Sequence, residues 1–291
     1  MIMIEENAQA NILATISNAY YALTASEKKA ADYVTAHLNE VQSMSICELA
    51  AACDIAEATV SRFCRSLGCK GYNAFKLAVA KAAAGTSSGS EVLMGEVTET
   101  DTFSDMCRKI YAADVDAVSQ TLELIREETV IEAADCLESA STVFCMGQGG
   151  SMILAEEAAH LFTTCGSKFF PVHDAHLQAI TAANMSRNDV ILFFSYSGAT
   201  RELLETVRIA KERGARVILI TRYPRSPGAA LCDIVLQCGS NESPIQLGSV
   251  AARMAQLYLL DVLFSELCRR NLRACRASRE RVAEALAEKH I

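Results

Sequence analysis

The chain has 291 residues, of which 51% are hydrophobic and 21% are charged, and its formal net charge is −8. This composition supplies enough apolar side chains for one large domain or two ordinary ones, and it argues against a largely disordered chain. No apolar run approaches the roughly 20 residues that cross a bilayer, and the N-terminal residues do not form a secretory signal. We therefore predict a cytoplasmic protein that is not bound to a membrane.

Twelve cysteines are scattered along the chain, and several lie in apolar segments such as "TVFCMG". No Cys-x-x-Cys pair occurs, so the spacing is not typical of a metal site or a redox motif. We predict reduced cysteines in the core, no bound metal and no cofactor.

Three short helices are predicted near the N-terminus. The first, in "SEKKAADYVTAHL", is expected to begin after an N-cap at Ser26, and the second, in "MSICELAAAC", after Ser45. The third, "EATVSRFCRSLG", is expected to end at Gly68. Its apolar residues recur at helical spacing, at Val60, Phe63, Cys64 and Leu67. These segments predict a compact all-α domain.

The second and third helices have the spacing of a helix-turn-helix, with the turn at residues 53–56. Asp54 occupies the turn position where glycine is usual, and Ala56 stands where a serine or threonine cap is usual. We expect the missing cap to cost roughly 1 kcal/mol. An ordinary helical hairpin would show the same spacing. In the helix-turn-helix interpretation, the exposed residues that would contact DNA are Thr59, Ser61, Arg62, Arg65 and Lys70.

Charge supports that interpretation. Residues 58–90 contain no acidic residue and five basic ones, namely Arg62, Arg65, Lys70, Lys76 and Lys81. A positive segment in an acidic protein is suited to the phosphate backbone of double-stranded DNA, although a solvated helix face would carry the same charges.

The remainder of the chain has a different pattern. A Gly-, Ser- and Thr-rich stretch, "GTSSGSEVLMGEVTETDT", predicts a flexible linker. After two further helices, five apolar runs alternate with amphipathic segments: "TVFCMG", "KFFPVH", "DVILFFS", "ARVILIT" and "CDIVLQC". Continuous apolar strands indicate a parallel sheet covered on both faces, that is, a doubly wound α/β domain. We place the helical domain at residues 1–83, the linker at 84–103 and the α/β domain at 104–291.

Two loops after these strands could bind an anion. The first contains Gly147, Gly149, Gly150 and Ser151, and the second contains Ser195, Ser197, Gly198 and Thr200. Glycines allow backbone N–H groups to approach an anion, hydroxyls add donors, and the following helix contributes its positive end. Neither loop has a lysine, which argues against a nucleoside triphosphate, and the dinucleotide pattern is broken at Met152.

The Ser-x-Ser-Gly-x-Thr loop, preceded by the Gly-x-Gly-x-Ser loop, resembles the SIS (sugar isomerase) domain. Together with the N-terminal helices, the whole chain resembles the RpiR/MurR family of bacterial transcriptional regulators. The resemblance implies a phosphosugar whose phosphate is held by the hydroxyls of Ser195, Ser197 and Thr200 and the amide of Gly198, with Ser151 and Gly149 approaching from the first loop. It also implies that Glu242 lies near the sugar. His173, Asp174 and His176 are either sugar contacts or solvent-exposed residues.

Two other functions fit parts of the chain. A sugar-phosphate isomerase would use Glu242 as a proton-transfer base, with His173 or His176 as its partner. Alternatively, the SIS domain would serve only for oligomerisation, through the apolar segment "RMAQLYLLDVLFSELC". Neither function requires a basic helix-turn-helix. We therefore predict a DNA-binding regulator without catalytic residues, controlled by a phosphosugar and assembled as a homodimer or homotetramer.

Overall fold

The computed structural model describes residues 12–86, 92–94, 97–240, 249–287 and 289. The chain divides into two compact units: unit 1 comprises Met1–Ala113 with Asn241–Ser249, and unit 2 comprises Asp114–Ser240 with Val250–Ile291. Within the predicted linker, Val92–Met94 (β1) pairs with Val97–Thr98 (β2) in an antiparallel hairpin. Residues 87–91 and 95–96 of that linker lie outside the described residues.

Unit 1 is helical, as predicted. Its helices are α1 Ile12–Ala19, α2 Ala25–Ala36, α3 Leu38–Val41, α4 Ile46–Ala52, α5 Glu57–Ser66 and α6 Tyr72–Thr86, followed by the first part of α7 Phe103–Leu124. Leu49, Val60, Phe63 and Phe75 are completely buried in its core. The rings of Phe63 and Phe75 meet edge to face with centroids 5.6 Å apart, which fixes α5 against α6.

The N-termini of α2 and α4 are closed by capping boxes. Ser45 caps α4 as predicted, with Glu48 completing the box. The prediction that Ser26 caps α2 is wrong, because Thr24 is the cap: its hydroxyl accepts from the Glu27 amide, and the Glu27 carboxylate accepts from the Thr24 N–H. That backbone hydrogen bond from Thr24 lowers the pKa of Glu27 below its usual value.

Unit 2 contains five strands at the predicted positions: β3 Thr142–Gly147, β4 Phe169–Val172, β5 Asp189–Phe194, β6 Arg216–Thr221 and β7 Ile234–Gln237. They form one parallel sheet in the order β4-β3-β5-β6-β7. Its helices are α8 Glu127–Ser139, α9 Gly150–Thr163, α10 Ala175–Asn184, α11 Arg201–Glu212, α12 Val250–Arg270 and α13 Leu272–Ala287. The α/β fold class is confirmed. No helix of the described residues is long and apolar enough to cross a membrane.

The sheet is covered on both faces. On β5, Val190, Leu192 and Phe194 join a core with residues of α8, α9 and α12. The intervening Ile191 and Phe193 join a second core with residues of α10 and α11. Continuous apolar strands are thus explained, because successive side chains alternate between two buried cores. The segment "RMAQLYLLDVLFSELC", which the alternative function places at an oligomer interface, lies within α12, and its Leu259, Leu260, Leu263 and Phe264 are buried within unit 2.

The strand order creates a switch point between β3 and β5. The chain proceeds from β3 outward to β4, then returns to the other side of β3 to form β5. Gly147 pairs with Phe194, so these neighbouring strands end at the same level. The helix that follows β3 packs on one face and the helix that follows β5 packs on the other. Ligands of open α/β sheets bind in the crevice that such a divergence leaves.

Candidate functional site

The helix-turn-helix is formed by α4 and α5. Asp54 adopts the left-handed conformation expected of this turn, with φ of 53°, and Lys29 donates to its carboxylate at 3.3 Å. As predicted, Ala56 provides no side-chain cap for α5. The helix ends before Gly68, whose φ is 81°.

The first turn of α5 is also tied to α4. The Cys47 thiol of α4 interacts with the carboxylate of Glu57, the first residue of α5. The pKa of Cys47 is raised to about 11, mainly because the thiol is partly buried and secondly because it interacts with the Glu57 carboxylate. The thiol is therefore protonated at neutral pH and links the two helices as a hydrogen-bond donor.

Four of the five predicted DNA contacts are accessible. Arg62, Arg65 and Lys70 are exposed, and Ser61 is half-buried. The prediction that Thr59 lies on the exposed face is wrong, because it is only 8% exposed. Its hydroxyl accepts from Nη2 of Arg62 at 3.2 Å, while Nε of Arg62 donates to the Ala58 carbonyl at 3.3 Å. Thr59 thus orients the arginine on the surface of α5.

The loop after β3 leads directly into α9. Gly147 is the last residue of β3, Gly149 is the N-cap of α9 and provides no side-chain cap, and Gly150 is the first residue of the helix. Gly149 and Gly150 are exposed and Ser151 is half-buried. The Ser151 amide donates to the Gln148 carbonyl at 3.0 Å, which closes the turn. The loop therefore presents glycine backbone at the start of a helix.

Two residues that the sequence did not single out support this loop. Gln178 is completely buried; its Nε2 donates to the carbonyls of Gly147 and Val172, and its Oε1 accepts from Nε2 of Gln148. Nη1 of Arg253 lies 3.7 Å from the position that a β-carbon on Gly150 would occupy. A charged residue in a mostly apolar helix was the available signal for Arg253. No sequence signal identified Gln178.

The loop after β5 is stabilised by hydrogen bonds within the loop and by close packing against Ser226. Ser195 is buried, and both its carbonyl and its Oγ lie 3.2 Å from the amide nitrogen of Gly198, which donates to them. Gly198 has φ of 59°, and a β-carbon there would lie 2.0 Å from Oγ of Ser226. Only glycine fits both the conformation and the space. Ser195 and Gly198 thus shape the loop, and the Gly198 amide is engaged within it.

The other two hydroxyls of this loop are placed differently. Ser197 is exposed, and its Oγ accepts from the Ala199 amide at 3.3 Å. Thr200 is the N-cap of α11, yet its side chain caps nothing. Its Oγ1 is one of two buried side-chain polar atoms in the described part of the chain that have no hydrogen-bond partner. A buried hydroxyl at a helix N-terminus is expected to have a partner, and an anionic ligand would supply one.

Ser240 is the last described residue before the segment that carries Glu242. Ser240 has φ of 79°, and its carbonyl accepts from the Tyr196 hydroxyl at 3.0 Å and from Nε of Arg222 at 2.9 Å. Tyr196 belongs to the loop after β5, so its hydrogen bond joins that loop to Ser240. Glu242 itself lies outside the described residues.

The "HDAH" segment has a structural explanation. Asp174 is the N-cap of α10 and accepts from the Leu177 amide. His173 Nε2 lies 2.7 Å from a carboxylate oxygen of Glu156, and both side chains are about half exposed, at 59% and 48%. His176 is exposed. These contacts account for Asp174 and His173 without a sugar.

Known proteins resemble both parts of the chain. The family model of the rpiR-family helix-turn-helix domain matches residues 10–86, and the family model of the SIS domain matches residues 136–266. An HTH-type transcriptional regulator of Caldanaerobacter subterraneus subsp. tengcongensis is 35% identical over 254 residues, which are 87% of this chain and 89% of the relative. The bifunctional protein glk of Burkholderia thailandensis is 34% identical over 244 residues, but the chain covers 37% of it.

A solved structure matches nearly the entire chain. The Vibrio vulnificus NanR protein, complexed with ManNAc-6P, superimposes with a TM-score of 0.85 at 26% identity, and the match covers 97% of this chain and 100% of that one. The similarity therefore extends across both units and is not limited to the widespread α/β fold of unit 2.

Proposed function

The chain belongs to the RpiR family of helix-turn-helix transcriptional regulators, and from that premise we propose that its affinity for operator DNA is controlled by a phosphorylated sugar. In this proposal, the helix-turn-helix of unit 1 binds double-stranded DNA, and the two loops of unit 2 bind the phosphate of the sugar. The observation that carries the proposal is the buried, unpartnered hydroxyl of Thr200 at the N-terminus of α11. It lies beside the switch point of the sheet, where ligands of this fold class bind.

The phosphate is proposed to bind between the two loops. Thr200 and Ser197 donate hydroxyl hydrogen bonds to it, and the positive end of α11 contributes its first-turn amides. Ser195 and Gly198 keep the loop in shape, as their internal hydrogen bonds indicate. From the other loop, Gly147, Gly149, Gly150 and Ser151 bring the start of α9 close, and Arg253 beside Gly150 adds a positive charge.

Glu242, which lies outside the described residues, is proposed to contact the sugar. Glu242 follows closely on Ser240, whose carbonyl is held by Tyr196 and Arg222. In a sensor, the Glu242 carboxylate accepts a hydrogen bond from a sugar hydroxyl. ManNAc-6P, the ligand of the Vibrio vulnificus relative, is the first compound to test.

DNA binding is assigned to the exposed face of α5. Arg62 and Ser61 are proposed to reach base edges, with Thr59 orienting Arg62, while Arg65 and Lys70 contact phosphates. The uncapped N-terminus of α5 is a further site for a backbone phosphate.

Coupling between the two activities requires an assembly. We propose that residues 1–83 bind DNA, that 84–103 form the linker, and that 104–291 bind the sugar and assemble the chain as a cytoplasmic homodimer or homotetramer. Two recognition helices of such a dimer match the half-sites of an inverted repeat. The sugar phosphate changes operator affinity only to the extent that it binds the DNA-competent and DNA-incompetent arrangements differently.

The experiment combines binding and turnover on the full chain. Duplexes selected by the protein from a random DNA pool are titrated by fluorescence anisotropy, without and with ManNAc-6P or other sugar phosphates. A sugar phosphate that raises the melting temperature, shifts the anisotropy midpoint and is recovered unchanged supports the proposal. Conversion to another sugar would establish an isomerase that uses Glu242, and Glu242→Gln would abolish that conversion.

The control separates the sugar site from the fold. Ser197→Ala removes an exposed hydroxyl whose one described contact is the Ala199 amide, so the free energy of unfolding should barely change while the thermal shift with the ligand decreases. If no sugar phosphate shifts the melting temperature of either protein, the SIS domain is an oligomerisation scaffold and the proposal is wrong.

A further inference from the structure

Three cysteines that are distant in sequence meet in unit 2. Cys165 lies two residues after the end of α9, Cys268 is near the end of α12, and Cys275 is in α13. Their Sγ atoms all lie within 4.8 Å of one another, and those of Cys165 and Cys268 are 3.4 Å apart. Among the residues that the structure describes, this is the one group of three Cys, His or carboxylate side chains with ligand atoms so close together.

The spacing of these thiols suits a metal ion. In a tetrahedral site with Zn–S bonds of about 2.3 Å, the sulfur atoms are roughly 3.8 Å apart. The observed separations, from 3.4 Å up to the limit of 4.8 Å, include that value. Cys275 is buried and the other two cysteines are half-buried, so the protein encloses one side of the cluster and leaves access for a fourth ligand such as water.

We propose that Cys165, Cys268 and Cys275 bind one thiophilic metal ion, Zn²⁺ or a similar d¹⁰ ion, as three thiolates. Each thiol releases its proton to solvent as its sulfur–metal bond forms, and no group is oxidised or reduced. The chemical basis is the preference of such ions for sulfur ligands. This site is separate from the sugar-phosphate loops and does not depend on the proposed function.

The position of α13 gives the site a physical consequence. Cys275 is the one buried residue among Leu272–Ala287, and Leu272 and Leu286 are 68% and 46% exposed. Arg279 of α13 makes a second contact, because its guanidinium Cζ lies 5.4 Å from the centroid of the Phe264 ring. A helix with so little buried surface gains most from a cross-link. A metal ion at the three thiols would attach α13 to α12 and to the end of α9.

The test is a titration of the reduced full-length protein with Cd²⁺, whose thiolate charge-transfer band increases with each Cd–S bond. We expect one equivalent to produce a three-thiolate band, and Zn²⁺ added beforehand to shift the Cd²⁺ titration to higher concentration. Zn²⁺ should also raise the melting temperature and slow limited proteolysis within α13. Cys275→Ser should weaken Cd²⁺ binding by more than the roughly 10- to 100-fold typical of losing an outer-shell partner.

Controls account for the other cysteines of the chain. Cys107→Ser changes the exposed cysteine of α7 and should leave the titration unchanged. The variant that combines Cys165→Ser, Cys268→Ser and Cys275→Ser measures Cd²⁺ binding by the other nine of the twelve cysteines. Equal Cd²⁺ affinity in this variant and the wild type would overturn the proposal, as would a wild-type band of fewer than three thiolates. Because the band is measured on the wild type, a variant that fails to fold does not remove the test.

Discussion

Within each unit, one of two neighbouring helices has a side-chain cap at its N-terminus and the other does not. In unit 1, α4 begins with the capping box of Ser45, whereas α5 begins at Ala56 without a side-chain cap. In unit 2, α10 is capped by Asp174, whereas the Thr200 hydroxyl at the start of α11 caps nothing. The uncapped helix of each pair is the one proposed to face phosphate.

An uncapped N-terminus retains unsatisfied amides and the positive end of the helix dipole, both of which favour an anion. The feature is insufficient by itself, because α8 also lacks a side-chain cap at Arg126. Acidic residues in the first turn do not set α8 apart, since α5 and α11 carry Glu57 and Glu202 there. What distinguishes α5 and α11 is their surroundings, a basic face in one unit and the switch point of the sheet in the other. The following predictions test this comparison.

The largest effect is expected at Gly198. Because its φ is positive and Ser226 fills the space of a β-carbon, Gly198→Ala should lower the free energy of unfolding by about 2–5 kcal/mol and abolish sugar-phosphate binding. Urea unfolding and thermal shift with ligand measure both effects. Gly149→Ala is the control for unfolding alone, because Gly149 belongs to the proposed phosphate site: its φ is also positive, but no atom lies within 4 Å of the added carbon, so the loss in the free energy of unfolding should be smaller. A comparable loss at Gly149 would contradict the explanation by close packing.

Thr200→Val should separate stability from binding. The substitution removes a hydroxyl without a hydrogen-bond partner and keeps the side-chain shape, so the free energy of unfolding should stay the same or rise slightly. Sugar-phosphate affinity, measured by calorimetry, should decrease by about 1.5–3 kcal/mol, the range for hydrogen bonds to charged groups. Unchanged affinity would show that the Thr200 hydroxyl does not contact the ligand.

Arg62→Ala should weaken operator binding by about 1–3 kcal/mol if the guanidinium contacts a base. Fluorescence anisotropy at constant salt measures the loss. Arg108→Ala, at an exposed arginine of α7 in the same unit, changes the charge equally and serves as control. Equal losses in the two variants would mean that Arg62 contributes only net charge.

The smallest effect is expected from capping α5. Ala56→Ser and Ala56→Asp should each raise the free energy of unfolding by about 0.5–2 kcal/mol, because the new side chain accepts from a first-turn amide. Both should weaken DNA binding if a phosphate occupies that position, and Asp should weaken it more because of its charge. Unchanged anisotropy midpoints in both variants would show that the N-terminus of α5 does not contact DNA.

The pattern of apolar residues predicted α2, α4 and α5 of unit 1 and the five strands of unit 2, because burial imposes its own periodicity on each element, whereas α1 and α3 were not predicted. It also predicted the left-handed turn at Asp54 and the missing cap at Ala56, which depend on local residue types. The N-terminus of α2 was predicted wrongly: Thr24, two residues before the predicted cap Ser26, caps the helix together with Glu27. Thr59 was wrongly placed on the exposed face: it is buried, and its hydroxyl accepts a hydrogen bond from Arg62.

By itself, the sequence determined the composition of the two glycine- and hydroxyl-containing loops. Only the tertiary structure decided that β3 and β5 are neighbours, so that both loops leave the sheet at its switch point. It likewise brought Gln178 and Arg253 to the first loop and joined three cysteines from separate helical segments. Local pattern is set by residues a few positions apart, whereas these contacts join residues that are 31 positions apart, for Gly147 and Gln178, and 103 positions apart, for Cys165 and Cys268.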